Sequence, residues 1–223
     1  TMLAASLEWV GNRLESELSG GADINTAILT VLKEVMEQQG TVVFGGNGYS
    51  EEWHKMAVEE RGLANLPTTA DALPILQEEY IGDLFQKTGV LTPVELDSRF
   101  EVYAEQYILS IEVESKLVIE MAKTKIYPAA VEYLSKLSST ISTLESLGVS
   151  LEKSSAQKVA DLAGSLMGAV TKLSEALEKH DFDNTNEQMT YCATTLRPLM
   201  DAVREYADTL EGEIADDCWP LPT

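Results

Sequence analysis

The sequence predicts an all-α protein, an antiparallel bundle of long helices preceded by shorter helices and a Gly/Pro-rich loop region. Three observations lead there. Apolar residues recur at steps of three and four along most of the chain, the period of one helix face. Helix-start residues precede those runs at Asp23, Ser50, Thr68, Thr92 and Asn184. The only candidate extended piece, Thr41-Val42-Val43-Phe44, is too brief and isolated to define a sheet.

Leu3, Leu7, Val10, Leu14 and Leu18 make one amphipathic face, which Gly20-Gly21 ends. Asp23 caps a second helix whose stripe is Ile24, Ala27, Ile28, Val31, Leu32 and Val35, closed by Gly40. From Gly45 to Leu91, repeated glycines with Pro67 and Pro74 limit the chain to short helices and loops. Ser50 is a good N-cap there, with Glu51 and Glu52 in the first turn suiting the helix dipole. Thr68-Thr69-Ala70-Asp71 offers another start.

Thr92-Pro93-Val94-Glu95 combines a capping threonine, proline at the first helical position and glutamate three residues after the cap. Leu96, Phe100, Tyr103, Tyr107 and Ile111 follow on one face, and the pattern resumes after Met121 through Leu134, Leu137, Ile141 and Leu144 to Gly148. Pro128 lacks a backbone donor and crowds the preceding turn, which predicts a kink or break near Thr124–Pro128. A further helix over about 150–179 turns Val159, Leu162, Leu166, Val170, Leu173 and Leu177 inward. The last begins near Asn184 with the row Met189, Cys192, Leu196, Leu199, Val203, Tyr206 and Leu210, bent at Pro198. Such rows need apolar partners, and short connections supply them as an antiparallel bundle. The expected organisation is 1–43, two amphipathic helices; 44–91, a loop-rich segment; and 92–223, the long-helix bundle.

The 223 residues are 44% apolar, enough for a core without staples. Net charge is −21, from 37 acidic and 16 basic side chains. Such a surface repels phosphodiester backbones and anionic headgroups, so neither nucleic acid nor membrane is expected as a partner. No window resembles a secretory signal or a membrane span. Cys192 sits in a helical apolar row and Cys218 in the terminal segment; two thiols so far apart make no disulfide framework. A soluble, cytoplasmic protein is expected.

Candidate chemistry is sparse. Val42-Val43-Phe44 followed by Gly-Gly-Asn-Gly and a helix has the outline of a phosphate-cradling loop. Glu51 and Glu52 in that first turn repel an anion, and the nucleotide-motif spacing is absent, so a tight turn exploiting glycine is the reading. Glu51-Glu52-Trp53-His54 holds one Glu-x-x-His, but three before His180 stands Leu177, so the second pair of a di-metal bundle is missing. Neither histidine lies in a serine or cysteine motif. No catalytic, cofactor-binding or metal-binding residue is expected. The interaction candidates are Gly45, Gly46, Asn47, Gly48, Tyr49 and Trp53 in the glycine segment, with Arg99 as an anchor for a buried carboxylate, an inter-subunit contact or a plain surface residue.

GGNGYSEEWH (Gly45–His54), LDSRFEVYAEQY (Leu96–Tyr107), MAKTKIYPAA (Met121–Ala130) and CWPLPT (Cys218–Thr223) together resemble segments of type III glutamine synthetase, in the same order. The resemblance runs from Leu3 to Thr223 and is densest over 48–66 and 95–130. It implies an enzyme that joins ammonia to glutamate with ATP and Mg or Mn, assembled as two stacked six-membered rings. In that family these segments follow the catalytic core, whose ligand motifs do not occur here. The implied role is a C-terminal helical region, inactive by itself, whose partners are an upstream core and neighbouring subunits of a homo-oligomer. The chain opens inside a helical pattern and stops where family sequences continue, so both ends are expected to be cuts. Alternatives are a stand-alone helical scaffold protein and a small helical metal protein.

Overall fold

The computed structural model describes residues 1–222; Thr223, the last residue of the CWPLPT string, lies outside the described residues. Helices account for the regular structure among those residues, so the all-α expectation holds. None of them is long and apolar enough to cross a membrane. The chain divides into two compact units, Thr1–Glu101 and Val102–Thr223.

In the first unit, α1 (Met2–Ser19) and α2 (Ile24–Gln39) pair as a hairpin. Gly21, at φ 93°, makes the reversal. Asp23 caps α2 by accepting from the backbone N–H groups of Asn25 and Thr26. Arg13 ties the pair together, reaching Glu34 at 2.9 Å and Glu17 at 3.2 Å. Ala27 and Val31 are buried, and Val10 and Leu14 half-buried. The outer parts of both rows are not covered: Leu3, Leu7, Ile28 and Leu32 are exposed. Short elements follow: a 3-10 turn Gly40–Val42, α3 (Glu51–Glu59), α4 (Thr69–Ala72), a 3-10 turn Leu73–Gln77 and α5 (Glu79–Lys87). Thr68 and Asp71 form a reciprocal capping box on α4.

Helix α6 (Pro93–Met121) starts at the predicted box: Thr92 N–H and Oγ1 both donate to Glu95 Oε2 at 2.8 Å. The unit boundary falls inside this helix, past the Thr92 start. Its buried row is Leu96, Phe100, Ala104, Ile108 and Ile111, so Tyr103 is exposed rather than inward. Steps of four carry the buried row to Ala104 and Ile108, leaving Tyr103 off that face.

At Pro128 the helix does not break. A π-helical turn, Ala122–Ile126, intervenes and α7 (Tyr127–Ser146) continues directly. The same device recurs in the last rod. After α8 (Ser154–Leu177) come α9 (Thr185–Tyr191), a π turn Cys192–Leu196 and α10 (Arg197–Glu211), with Pro198 at its second position. In each case the turn closes through the N–H of the residue just before proline, Tyr127 to Ala122 O and Arg197 to Cys192 O. The wider turn moves aside the carbonyl that a proline ring would strike four residues back. A threonine hydroxyl back-bonds within each turn, Thr124 to Glu120 O and Thr194 to Thr190 O.

Helix α8 packs against both α7 and α10. Its Val159, Leu166, Val170 and Leu173 are completely buried, with Leu162 and Leu177 half-buried at the edge. Met189, Cys192, Leu196, Val203 and Leu210 face them from the last rod. Ser115, the buried polar residue of this core, satisfies its hydroxyl on Ile111 O at 2.8 Å. After α10 the chain continues through a 3-10 turn, Asp216–Cys218, packed on α7.

Candidate functional site

The glycine segment folds into a clasp with α3. Asn47 begins it: its Oδ1 accepts from Tyr49 N–H at 3.0 Å, and its carbonyl accepts from Ser50 N–H and Oγ. Ser50 Oγ accepts from Trp53 N–H at 3.2 Å, capping α3 as its sequence position suggests. Phe44 stacks on Trp53 with centroids 3.9 Å apart and 16° between the rings. The Arg61 guanidinium lies 5.0 Å from the Trp53 ring centre and 5.7 Å from that of Phe44. Arg61 Nη1 also donates to Val43 O at 2.7 Å and Thr41 O at 3.1 Å. Thr41–Phe44, read from sequence as a possible extended piece, is instead the end of the 3-10 turn Gly40–Val42 running into extended Val43, held by a side chain rather than by a sheet neighbour.

The glycines serve a purpose other than the expected one. Gly45, Gly46 and Gly48 all have ordinary backbone angles; positive φ occurs at Gly21, Gly62, Gly89 and Gly148. Gly46 is small because the Phe44 ring lies over it. Gly62, at φ 66°, turns the chain after Arg61, and Leu63 N–H then closes α3 on Ala57 O at 2.8 Å.

At the tip of this clasp Tyr49 is 95% exposed. Its backbone is fixed by Asn47 and Ser50 while its ring touches solvent, an amphipathic side chain held at low conformational cost. Glu51, Glu52 and His54 are exposed on α3. Because Ser50 already satisfies Trp53 N–H and two carboxylates crowd the first turn, this helix end disfavours anions. Of the sequence candidates, Gly45–Tyr49 and Trp53 are thus brought together. Arg99 stands apart, exposed on α6, where its charge adds to the larger effect of Thr92 hydrogen bonds in holding the Glu95 carboxyl below its ordinary pKa. Phe44 and Arg61, which complete the clasp, escaped the sequence reading. An aromatic directly before the glycines and an arginine directly before a helix-ending glycine were the available signals.

Two thiols have contrasting surroundings. Burial pushes Cys192 up to about 11, with the Glu112 charge adding to it. Cys218 is half-buried beside Lys136. Among the described residues no group of three or more histidine, cysteine, aspartate or glutamate side chains is gathered to hold a metal ion.

The model of the glutamine synthetase C-terminal domain family matches residues 27–145. The chain is 30% identical to the type-3 glutamine synthetase of Dictyostelium discoideum, over all of this chain and 31% of that protein. It is 34% identical to a glutamine synthetase of Butyrivibrio fibrisolvens, over 94% of this chain and 31% of the relative. Against the glutamine synthetase of Bacteroides fragilis it is 28% identical over 91% of this chain and 29% of the relative. The chain spans under a third of the length of the curated relatives it matches.

Proposed function

Because the chain belongs to the glutamine synthetase C-terminal domain family, we propose that it serves as the structural and assembly region of an ATP-dependent glutamate–ammonia ligase of type III. On this reading the bonds are made elsewhere in the ligase, where ATP and Mg or Mn bind, and this region has no active site of its own. It braces the catalytic core and contacts neighbouring subunits of a homo-oligomer in the cytoplasm.

The observation that carries the reading is the set of uncovered large apolar side chains on the α1–α2 hairpin. Leu3 is 72% exposed, Leu7 61%, Leu29 67%, Leu32 55% and Met36 56%. So many large apolar side chains left in water on two short helices are what an interaction surface presents. Tyr49, held on a stiff loop of the same unit, is suited to the centre of such a contact.

The test places Leu29→Asp with Leu32→Asp in the whole ligase. Light scattering is expected to show loss of the oligomer, with the helical content retained. An unchanged oligomer would overturn the assembly role. Separately, the purified 223-residue chain, given glutamate, ammonia, ATP and Mg, is expected to form no glutamine. Turnover by that chain alone would overturn the absence of an active site.

A further inference from the structure

The segment after α10 is a strap laid along the second unit. Cys218 closes its 3-10 turn, donating its N–H to Ala215 O at 2.8 Å. Trp219, next in the chain, buries its indole Nε1 without an acceptor among the described residues. Leu221 lines a cavity of about 310 Å³ together with Val118 and Met121 of α6 and Val203 and Ala207 of α10. The strap therefore spans from α7 to the groove between α6 and α10.

Where the strap meets α7, two nucleophiles touch. Lys136 Nζ lies 3.2 Å from Cys218 Sγ, though the two are 82 positions apart in sequence. Glu132 Oε1 holds the same ammonium from the preceding turn at 3.1 Å. Asp217 Oδ1 lies 3.5 Å from the sulfur. The lysine side chain is 54% exposed and the cysteine half-buried, so a small oxidant reaches both. No second cysteine is placed to compete: Cys192 is buried in the α8–α10 seam.

We propose that Lys136 and Cys218 form a modification site, a covalent Nζ–O–Sγ crosslink made by dioxygen that locks the strap onto α7. The nitrogen and the sulfur each give up an electron pair, and dioxygen receives both. One oxygen atom becomes the bridge; the other leaves as water, taking one hydrogen from the amine and one from the thiol. An ammonium–thiolate pair carries the same number of protons as amine plus thiol, so the balance is unchanged. Thiol reductants reverse the step, restoring lysine and cysteine and releasing the bridging oxygen as water. A separation already at contact distance supplies the proximity that such a reaction needs. A thiol without this neighbour would instead climb the sulfenic-to-sulfinic ladder.

The experiment reduces the purified full chain, removes the reductant and holds it in air-saturated buffer before intact-mass and peptide-mapping measurements. The expected product has gained one oxygen and lost two hydrogens. A peptide carrying Lys136 is joined to one carrying Cys218, and dithiothreitol separates them. Lys136→Gln and Cys218→Ser, both surface changes checked for native helical content, are expected to yield no joined peptide. Lys136→Gln should instead accumulate Cys218 sulfinic acid. The proposal is overturned if the unaltered chain gives only sulfinic acid or an inter-chain disulfide at Cys218, at the rate seen for Lys136→Gln.

Discussion

A Cβ placed on Gly46 would fall 2.5 Å from Cζ of Phe44. The ring that stacks on Trp53 thus lies across the glycine two residues further on. Gly46→Ala is expected to push Phe44 off Trp53 and cost about 1 kcal/mol, the worth of an aromatic pair beyond its buried area. Gly45→Ala and Gly48→Ala meet nothing within 4 Å and are expected to be neutral or slightly stabilising. Urea unfolding followed by tryptophan fluorescence separates these cases. Equal losses at all three sites would show that ring contact is not what requires Gly46.

Leu173 and Leu199 lie on facing rods but are unequal. Leu173 has no exposed surface, whereas Leu199 sits half-buried at the rim of its seam. Leu173→Ala is expected to cost about 2–5 kcal/mol. Leu199→Asp, on the same apolar row as Leu210, should cost less than Leu210→Asp, because its carboxylate reaches water. Denaturant melts rank the three directly; a larger loss at Leu199 than at Leu210 would misplace the seam.

Deletion of Thr124 converts the first π turn to a regular helical turn and brings the Pro128 ring against the carbonyl four residues back. The expected cost is about 3 kcal/mol. Combining the deletion with Pro128→Ala should recover most of it. Thermal unfolding of the single and double variants reads this coupling. Full stability in the single deletion would mean that the wide turn is not an accommodation of proline.

Cys192 is raised from an ordinary 9.0 to about 11 by burial. The folded state therefore holds this proton more tightly than the unfolded chain. Its contribution to stability is complete below about pH 9 and is lost as pH rises toward 11. The difference in unfolding free energy between the unaltered chain and Cys192→Ala should shrink over that window. At neutral pH a thiol reagent is expected to titrate Cys218 rapidly and Cys192 only after unfolding. Two fast thiols in the native protein would contradict the burial.

Much of the fold was legible because local chemistry and tertiary packing agree. Asp23, Ser50, Thr68 and Thr92 each cap the helix they precede. The period of α8 and of the last rod gave the buried Val159, Leu166, Leu173, Met189 and Leu210. Less legible was how a helix absorbs proline: the residues flanking each π turn, Met121 and Tyr127, Tyr191 and Arg197, keep ordinary helical angles, and the apolar period runs on across it. The row Leu96–Phe100–Tyr103 misled because Ala104, too small to dominate a hydrophobic pattern, occupies the inward position. At the candidate site, the Ser50 cap and the compact glycine stretch were readable. The Arg61 clasp was not, since a cation over two rings depends on the path of the chain between them.

Helix α6 carries its own lesson. Ala104, Ile108 and Ile111 face the core, while Val102, Leu109, Val113 and Leu117 are exposed. At about 100° per residue those rows lie on opposite sides of one cylinder. A rod apolar on both sides favours association with its copies, and a net charge of −21 opposes it. The balance between the two is set by the solution: added salt screens the repulsion, and acid near the sequence isoelectric point of about 4.3 removes it, so light scattering is expected to show association growing in both directions.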